Sequence, residues 1–156
     1  MIAIDIPGFG ALRLEHLVLD YNGTLAADGE LLPGVGEALR ALARDVRIHA
    51  ITADTFGRAA EMLAGLPVDL VIAMATAQAE AKLEFVTALG AHEVVAIGNG
   101  RNDRRMLEAA ALGIAVIQRE GASAESLRCA DVVATNILDA LDLLRHPRRL
   151  VATLRS

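Results

Sequence analysis

Four polar stretches of this 156-residue chain stand on or beside its apolar runs, and between them they carry a carboxylate, a hydroxyl, an amine and a Gly-x-Gly turn. "HLVLDY" runs straight into "NGT", so the carboxylate of Asp20 closes a strand pattern and Asn22 follows two residues later. "ITADT" ends the next extended run on the hydroxyl of Thr52, with Ala53 behind it. Lys82 is the internal cation of an Ala-rich helical pattern, "TAQAEAKLEFV". "VVAIGNGRND" ends a further apolar run on a Gly-x-Gly turn that holds Asn99, Arg101, Asn102 and Asp103. A carboxylate, a hydroxyl, an amine and a Gly-x-Gly turn are groups that can do chemistry, and a turn of that kind before a helix can cradle a phosphate. Each group also has a plainer role. Asp20 could cap a turn, Asp54 or Thr55 could cap a helix, Lys82 could be solvated, and the Gly-x-Gly segment could merely turn.

The elements that must position these groups alternate in type. "IAIDI" and "LRLEHLVLDY" read as extended, joined by the turn "PGFG", and Asp28-Gly29 marks a second small hairpin. "GVGEALRALARD" places Val35, Leu39 and Leu42 at helical spacing. Then come the strand "VRIHAIT", the helix "TFGRAAEMLAGL", the strand "VDLVIAM" and the helix "TAQAEAKLEFVTALG". The strand "EVVAIG", helix "NDRRMLEAAALG", strand "IAVIQ", short helix "SAESLRCA" and strand "DVVAT" follow. "NILDALDLLR" is a helix that breaks at Pro147 and resumes towards the C-terminus. This rhythm predicts one α/β domain over residues 1–156, a Rossmann-like three-layer sandwich with a parallel sheet and an N-terminal β-hairpin. In such sheets ligands sit at the carboxyl ends of the strands, where Asp20, Thr52 and Asn99 stand.

In order and placement, the four stretches resemble the motifs of the haloacid dehalogenase-like (HAD) superfamily of aspartyl phosphotransferases. The nearest likeness is to the phosphorylation domain of P-type ATPases and their soluble relatives, and it covers nearly the whole chain. The resemblance implies that Asp20 is the nucleophile that becomes phosphorylated, that Thr52 meets a phosphoryl oxygen, and that Lys82 neutralises phosphoryl charge. It implies a Mg²⁺ ion held by Asp20, by the backbone carbonyl of Asn22 and by side chains from "GNGRND", with Asn99 and Asp103 as candidates. Gly23, Thr24, Ala53, Arg101 and Asn102 are the implied substrate-binding positions. About thirty residues separate Asp20 from Thr52, and the expected helix and strand use most of them, so no cap domain fits.

Two positions depart from the family pattern. Phosphatases of the superfamily carry an acid–base Asp two residues after the nucleophile, and here that place is Asn22. An amide has no proton to give near neutral pH and cannot act as a base. P-type ATPases carry Thr there, which is not an acid–base catalyst either. Asn99 replaces a metal-binding Asp and keeps an oxygen without its charge. Two readings follow. One is a Mg²⁺-dependent phosphatase or phosphotransferase with slow resolution of the phosphoenzyme. The other is a catalytically impaired relative that binds a phosphorylated partner or ligand without significant turnover.

Composition bounds the rest. Apolar residues make up 54 % of the chain but only Phe9, Tyr21, Phe56 and Phe85 are aromatic, so the core must be aliphatic, as suits a covered parallel sheet. The net charge of −5 speaks against an electrostatic nucleic-acid partner. No apolar run approaches a membrane span, and the N-terminus lacks the basic start of a signal peptide. A single cysteine, Cys129, forms no internal disulfide, reads as a small buried hydrophobe, and is compatible with a cytoplasmic location. The four histidines show no metal-ligand spacing. The expected partners are a phosphorylated small molecule or a phosphoprotein, and an open, capless site would favour a homo-oligomer.

Overall fold

The computed structural model describes all residues, 1–156. Its centre is a six-stranded, all-parallel sheet in the order β10-β9-β8-β3-β6-β7. The strands are β3 (His16–Asp20), β6 (Arg47–Thr52), β7 (Asp69–Ile72), β8 (Val94–Gly98), β9 (Leu112–Val116) and β10 (Val132–Ala134). The N-terminal hairpin pairs β1 (Ile2–Ile6) with β2 (Gly10–Leu14), and a second, short one pairs β4 (Ala26–Ala27) with β5 (Glu30–Leu31). The helices are α1 (Val35–Leu42), α2 (Arg58–Leu63), α3 (Gln78–Leu89), α4 (Arg104–Ala109), α5 (Ala124–Cys129), α6 (Ile137–Arg145) and α7 (Pro147–Leu154). The expected fold is therefore the observed one. No cap separates β3 from β6, since the short hairpin and α1 occupy that interval.

Alternation along the strands divides the core between the two faces of the sheet. Leu17 and Leu19 of β3, Val95 and Ile97 of β8, and Leu112 and Ile114 of β9 join a large cluster with α1, α6, α7 and the β1-β2 hairpin. Val18, Val94, Ala96 and Ala115 face the other way, into a smaller cluster with α3 and α4. The second face is lined by small residues because α4 lies close to it. A side chain at Gly113 would collide with the backbone of Leu107. Residues buried on both faces explain why these strands read as continuous apolar runs rather than alternating ones.

Several elements are shorter than the sequence suggested. α2 starts only at Arg58, because Gly57 takes a left-handed conformation and the Asp54 carboxylate accepts the free amides of Ala59 (2.7 Å) and Ala60 (3.0 Å). Asp54 is thus the cap that the sequence proposed. The edge strand β7 stops at Ile72 and leaves Met74 in the open. The helix expected over 102–113 divides into a 3-10 turn, Arg101–Asp103, and α4. Cys129 corrects an expectation. It is half-buried at the end of α5, and the side chain that this helix buries is Ser126, whose hydroxyl donates to the carbonyl of Gly100 at 2.5 Å.

Candidate active site

The chain builds β3, β6 and β7 outwards, then returns through α3 to lay β8 on the other side of β3, and this reversal of strand order between β3 and β8 opens a crevice at the carboxyl ends of the strands. Register fixes what faces it. Asp20 pairs with Ile51 of β6, which leaves Thr52 one residue beyond, and Leu19 pairs with Ile97 of β8, which brings Asn99 to the same level. Asp20, Thr52 and Asn99 are all buried, and all three line a cleft of about 280 Å³. Asn22, Ala53 and Asn102 line it too, together with Gln78, Gly100 and Glu120.

Lys82 comes from α3 to lie behind Asp20 and is completely buried. Its Nζ donates to Asp20 Oδ1 at 2.8 Å, to Asp103 Oδ1 at 2.7 Å and to Asn102 Oδ1 at 3.0 Å, which uses all three ammonium protons. Asn102 is held in turn by donating to Gln78 Oε1 at 3.2 Å. The other oxygen of Asp103 accepts the amides of Asn99 (3.0 Å) and Gly100 (2.9 Å) and so closes the turn. Both Asp103 oxygens are thereby engaged, and this carboxylate anchors the lysine and the turn. Gly98 is required beneath it, because a side chain there would enter the Asp103 carboxylate.

The electrostatics follow from burial. Loss of solvent, then the charge of Asp103, pushes Asp20 up to about 7, against the pull of the Lys82 ammonium. Burial also works against the charged form of Lys82, but the charges of Asp20 and Asp103 and their hydrogen bonds outweigh it and hold the amine above its ordinary range. Asp20 and Lys82 thus form a buried acid and the cation that faces it.

On the other side of Asp20, the Thr24 hydroxyl lies 3.4 Å from Asp20 Oδ2 and 3.2 Å from Asn99 Oδ1. Two acceptor oxygens from neighbouring strands therefore converge on one point. Gly23 has φ +79 and packs against the Asn99 amide so closely that any side chain would displace it. Asn22 is exposed at the mouth of the cleft. Arg101 lies outside the cleft lining, exposed and paired with Glu125 at 3.0 Å. Besides Gln78 and Gly100 in the lining, two further residues were missed in the sequence. Gln118 donates to the carbonyls of Gly23 (3.1 Å) and Thr24 (2.9 Å), and Glu120 faces the cleft two residues later. The signal for Gln118 was present, since it is the polar residue that ends "IAVIQ".

No family model matches the chain. An uncharacterized protein of Methanocaldococcus jannaschii is 49 % identical over 63 residues, which span 40 % of this chain and 68 % of that protein. Among solved structures, a Legionella pneumophila protein described as a HAD superfamily (subfamily III A) hydrolase superposes with TM-score 0.72 at 17 % identity, over 90 % of this chain and 87 % of that one. The 3-deoxy-D-manno-octulosonate 8-phosphate phosphatase of Moraxella catarrhalis, in complex with magnesium, phosphate and the sugar acid, superposes with TM-score 0.71 at 16 % identity, over 91 % and 94 % of the two chains. The cobalt-bound phosphatase of the same kind from Haemophilus influenzae gives 0.70 at 13 % identity, over 92 % and 94 %. The chain has the HAD-like fold, without a cap.

Proposed function

We propose that this chain is a capless HAD-type phosphatase or phosphotransferase that passes a phosphoryl group through Asp20. The observation that carries the reading is the buried Lys82 bridging Asp20 and Asp103 at the switch point of the sheet. Three buried charges at the mouth of a core are costly to keep, and replacing such groups with apolar ones is often neutral or stabilising, so a structural role alone accounts poorly for them.

A Mg²⁺ ion fits the donors present. Asp20 Oδ2 and Asn99 Oδ1 both lie within reach of the Thr24 hydroxyl and are oxygens of the kind a hard cation prefers, and the Asn22 carbonyl is the third candidate. Asp103 would support this set from behind, through Lys82 and the turn amides. Bound there, the cation would offset repulsion between the carboxylate and an anionic phosphate. Solved HAD-fold neighbours hold magnesium or cobalt.

In the reaction we propose, an Asp20 oxygen bonds to phosphorus as the bond to the leaving oxygen breaks. Lys82 and the Thr52 hydroxyl hold the equatorial oxygens as charge builds on them. Water then attacks the acyl-phosphate and releases Asp20. Asn22 gives no proton to the leaving group, so turnover is slow and substrates with good leaving groups are preferred. This same absence of an acid–base side chain supports the finer placement with soluble P-type ATPase-like proteins. The substrate class is a phosphorylated small molecule, as in the neighbours that act on a sugar-acid phosphate, or a phosphoprotein. Asn22 and Asn99 together favour the second reading, a relative that binds phosphorylated ligands with little turnover. A panel of phosphate esters and acyl-phosphates assayed with Mg²⁺ separates the two. Hydrolysis that requires Asp20 supports the enzyme, and tight binding without product supports the binder.

A further inference from the structure

Two ionisable side chains line the cleft, Asp20 and Glu120, and Lys82 and Asp103 lie buried behind Asp20. Asp20 is the nucleophile, and Lys82 and Asp103 are locked to it and to each other. Glu120 is exposed, pairs with neither Lys82 nor Asp103, and lines the same cleft as Asp20, Thr52 and Ala53. Its position is set by the backbone around it. Gln118 to Gly121 form a turn closed by the Gly121 amide on the Gln118 carbonyl (2.9 Å), with Gly121 at φ +72. One side of that turn is fastened to the nucleophile loop, since the Gln118 amide donates to the carbonyls of Gly23 and Thr24 and its Oε1 accepts the Ile137 amide at 2.8 Å. The other side is fastened to the Gly-x-Gly turn. Asn99 Nδ2 donates to the Gly121 carbonyl at 3.0 Å, and the Ser123 amide donates to the Asn99 carbonyl at 2.8 Å. A turn pinned on both flanks to the segments carrying Gly23, Thr24 and Asn99 thus keeps its one acidic residue in the lining of the cleft.

We propose that Glu120 is the general base for hydrolysis of phospho-Asp20, an inference that rests on the phospho-aspartate reading above. Glu120 lines the cleft that Asp20 opens into, and of the two ionisable residues in that lining it is the one not used for attack on phosphorus. Its carboxylate takes one proton from that water. The water oxygen bonds to phosphorus, the bond from phosphorus to the Asp20 oxygen breaks, and Asp20 returns as a carboxylate with inorganic phosphate released. The proton then passes to solvent through the open mouth. Glu120 thereby takes over in part the role that Asn22 cannot fill.

The test follows the two half-reactions separately, with ³²P-labelled acetyl phosphate and saturating Mg²⁺. Labelling of the protein reports attack by Asp20, and decay of the label after dilution reports attack by water. Glu120→Gln is expected to label at the wild-type rate, within about twofold, and to lose label at least about tenfold more slowly, within the range typical of acid–base help. Glu120→Asp should recover part of the decay rate, which a merely structural role would not explain. In an Asn22→Asp background the same Glu120→Gln change should slow decay less than about threefold, because the adjacent carboxylate then does the work. Decay in Glu120→Gln as fast as in wild type overturns this inference and leaves the phospho-aspartate reading standing. A wild-type protein that takes no label on Asp20 overturns both.

Discussion

The ammonium of Lys82 lies 2.8 Å from Asp20 Oδ1, and no part of the lysine side chain reaches solvent. A helix from one half of the sheet thus places its only buried charge against the acid that ends the central strand. The same ammonium holds Asp103 at 2.7 Å, so one cation balances two carboxylates.

Removing that cation leaves two carboxylates uncompensated in a nearly closed space. Breaking a buried pair typically costs about 3–5 kcal/mol. Lys82→Met should lose stability of that order in urea unfolding and should not take label from acetyl phosphate. A loss below about 1 kcal/mol would show that the triad relaxes into water and is weaker than its geometry indicates.

Cation binding should depend on pH because Asp20 sits at about 7 in the cation-free protein. The protonated acid is a poor ligand, so binding releases a proton below that value. Mg²⁺ affinity measured by calorimetry should rise about tenfold per pH unit below pH 7 and level off above it. The folded pKa is raised above the ordinary 3.8. Protonated Asp20 therefore contributes stability that is fully present below about pH 4 and is lost as pH rises through 7. Cation-free Asp20→Asn should lack this loss in thermal melts between pH 5 and 8. An affinity that does not change with pH would contradict the assignment of Asp20 as a ligand.

Asn22→Asp is nearly isosteric and keeps the backbone carbonyl in place. It should raise hydrolysis of alkyl phosphates more than that of aryl phosphates, since poor leaving groups need the proton most. The gain should fall within the roughly 10²–10⁴-fold range of acid–base catalysis. Equal or lower rates on both substrate types, with the fold intact and Mg²⁺ saturating, would remove Asn22 as the cause of slow chemistry.

Phe56 and Met74, 95 % and 77 % exposed, stand on the loops after β6 and β7, on the same side of the sheet as the cleft. Large apolar side chains so open commonly mark an interaction surface. A homo-oligomer that covers the mouth is expected, and light scattering of a Phe56→Ser/Met74→Ser variant should show smaller species than wild type. A wild-type monomer across a wide concentration range contradicts it.

Much of this site was legible because strand ends announce themselves. An apolar run that stops on Asp20, Thr52 or Asn99 marks where a parallel sheet opens. The burial of Lys82 was not legible, and the reason is physical. Lys82 falls on the helical stripe that carries Ala79 and Val86 into the core, so a functional charge looks like a polar interruption of an apolar stripe. Glu120 was hidden because a loop has no periodicity, and only hydrogen bonds from Asn99 and Gln118 show which way its turn is held. The ends of α2 and β7 were overestimated for a related reason: the Asp54 cap and the exposed edge of the sheet are tertiary facts.

The central claim is that Asp20 carries the phosphoryl group. It is tested most directly by exposing the protein to acetyl phosphate and Mg²⁺, quenching in acid, and mapping the acyl-phosphate by mass spectrometry after borohydride reduction. The account expects a single modified residue, Asp20, and none in Asp20→Asn, whose fold should be unchanged. Modification at another residue, or phosphatase activity that persists in purified Asp20→Asn, would contradict it.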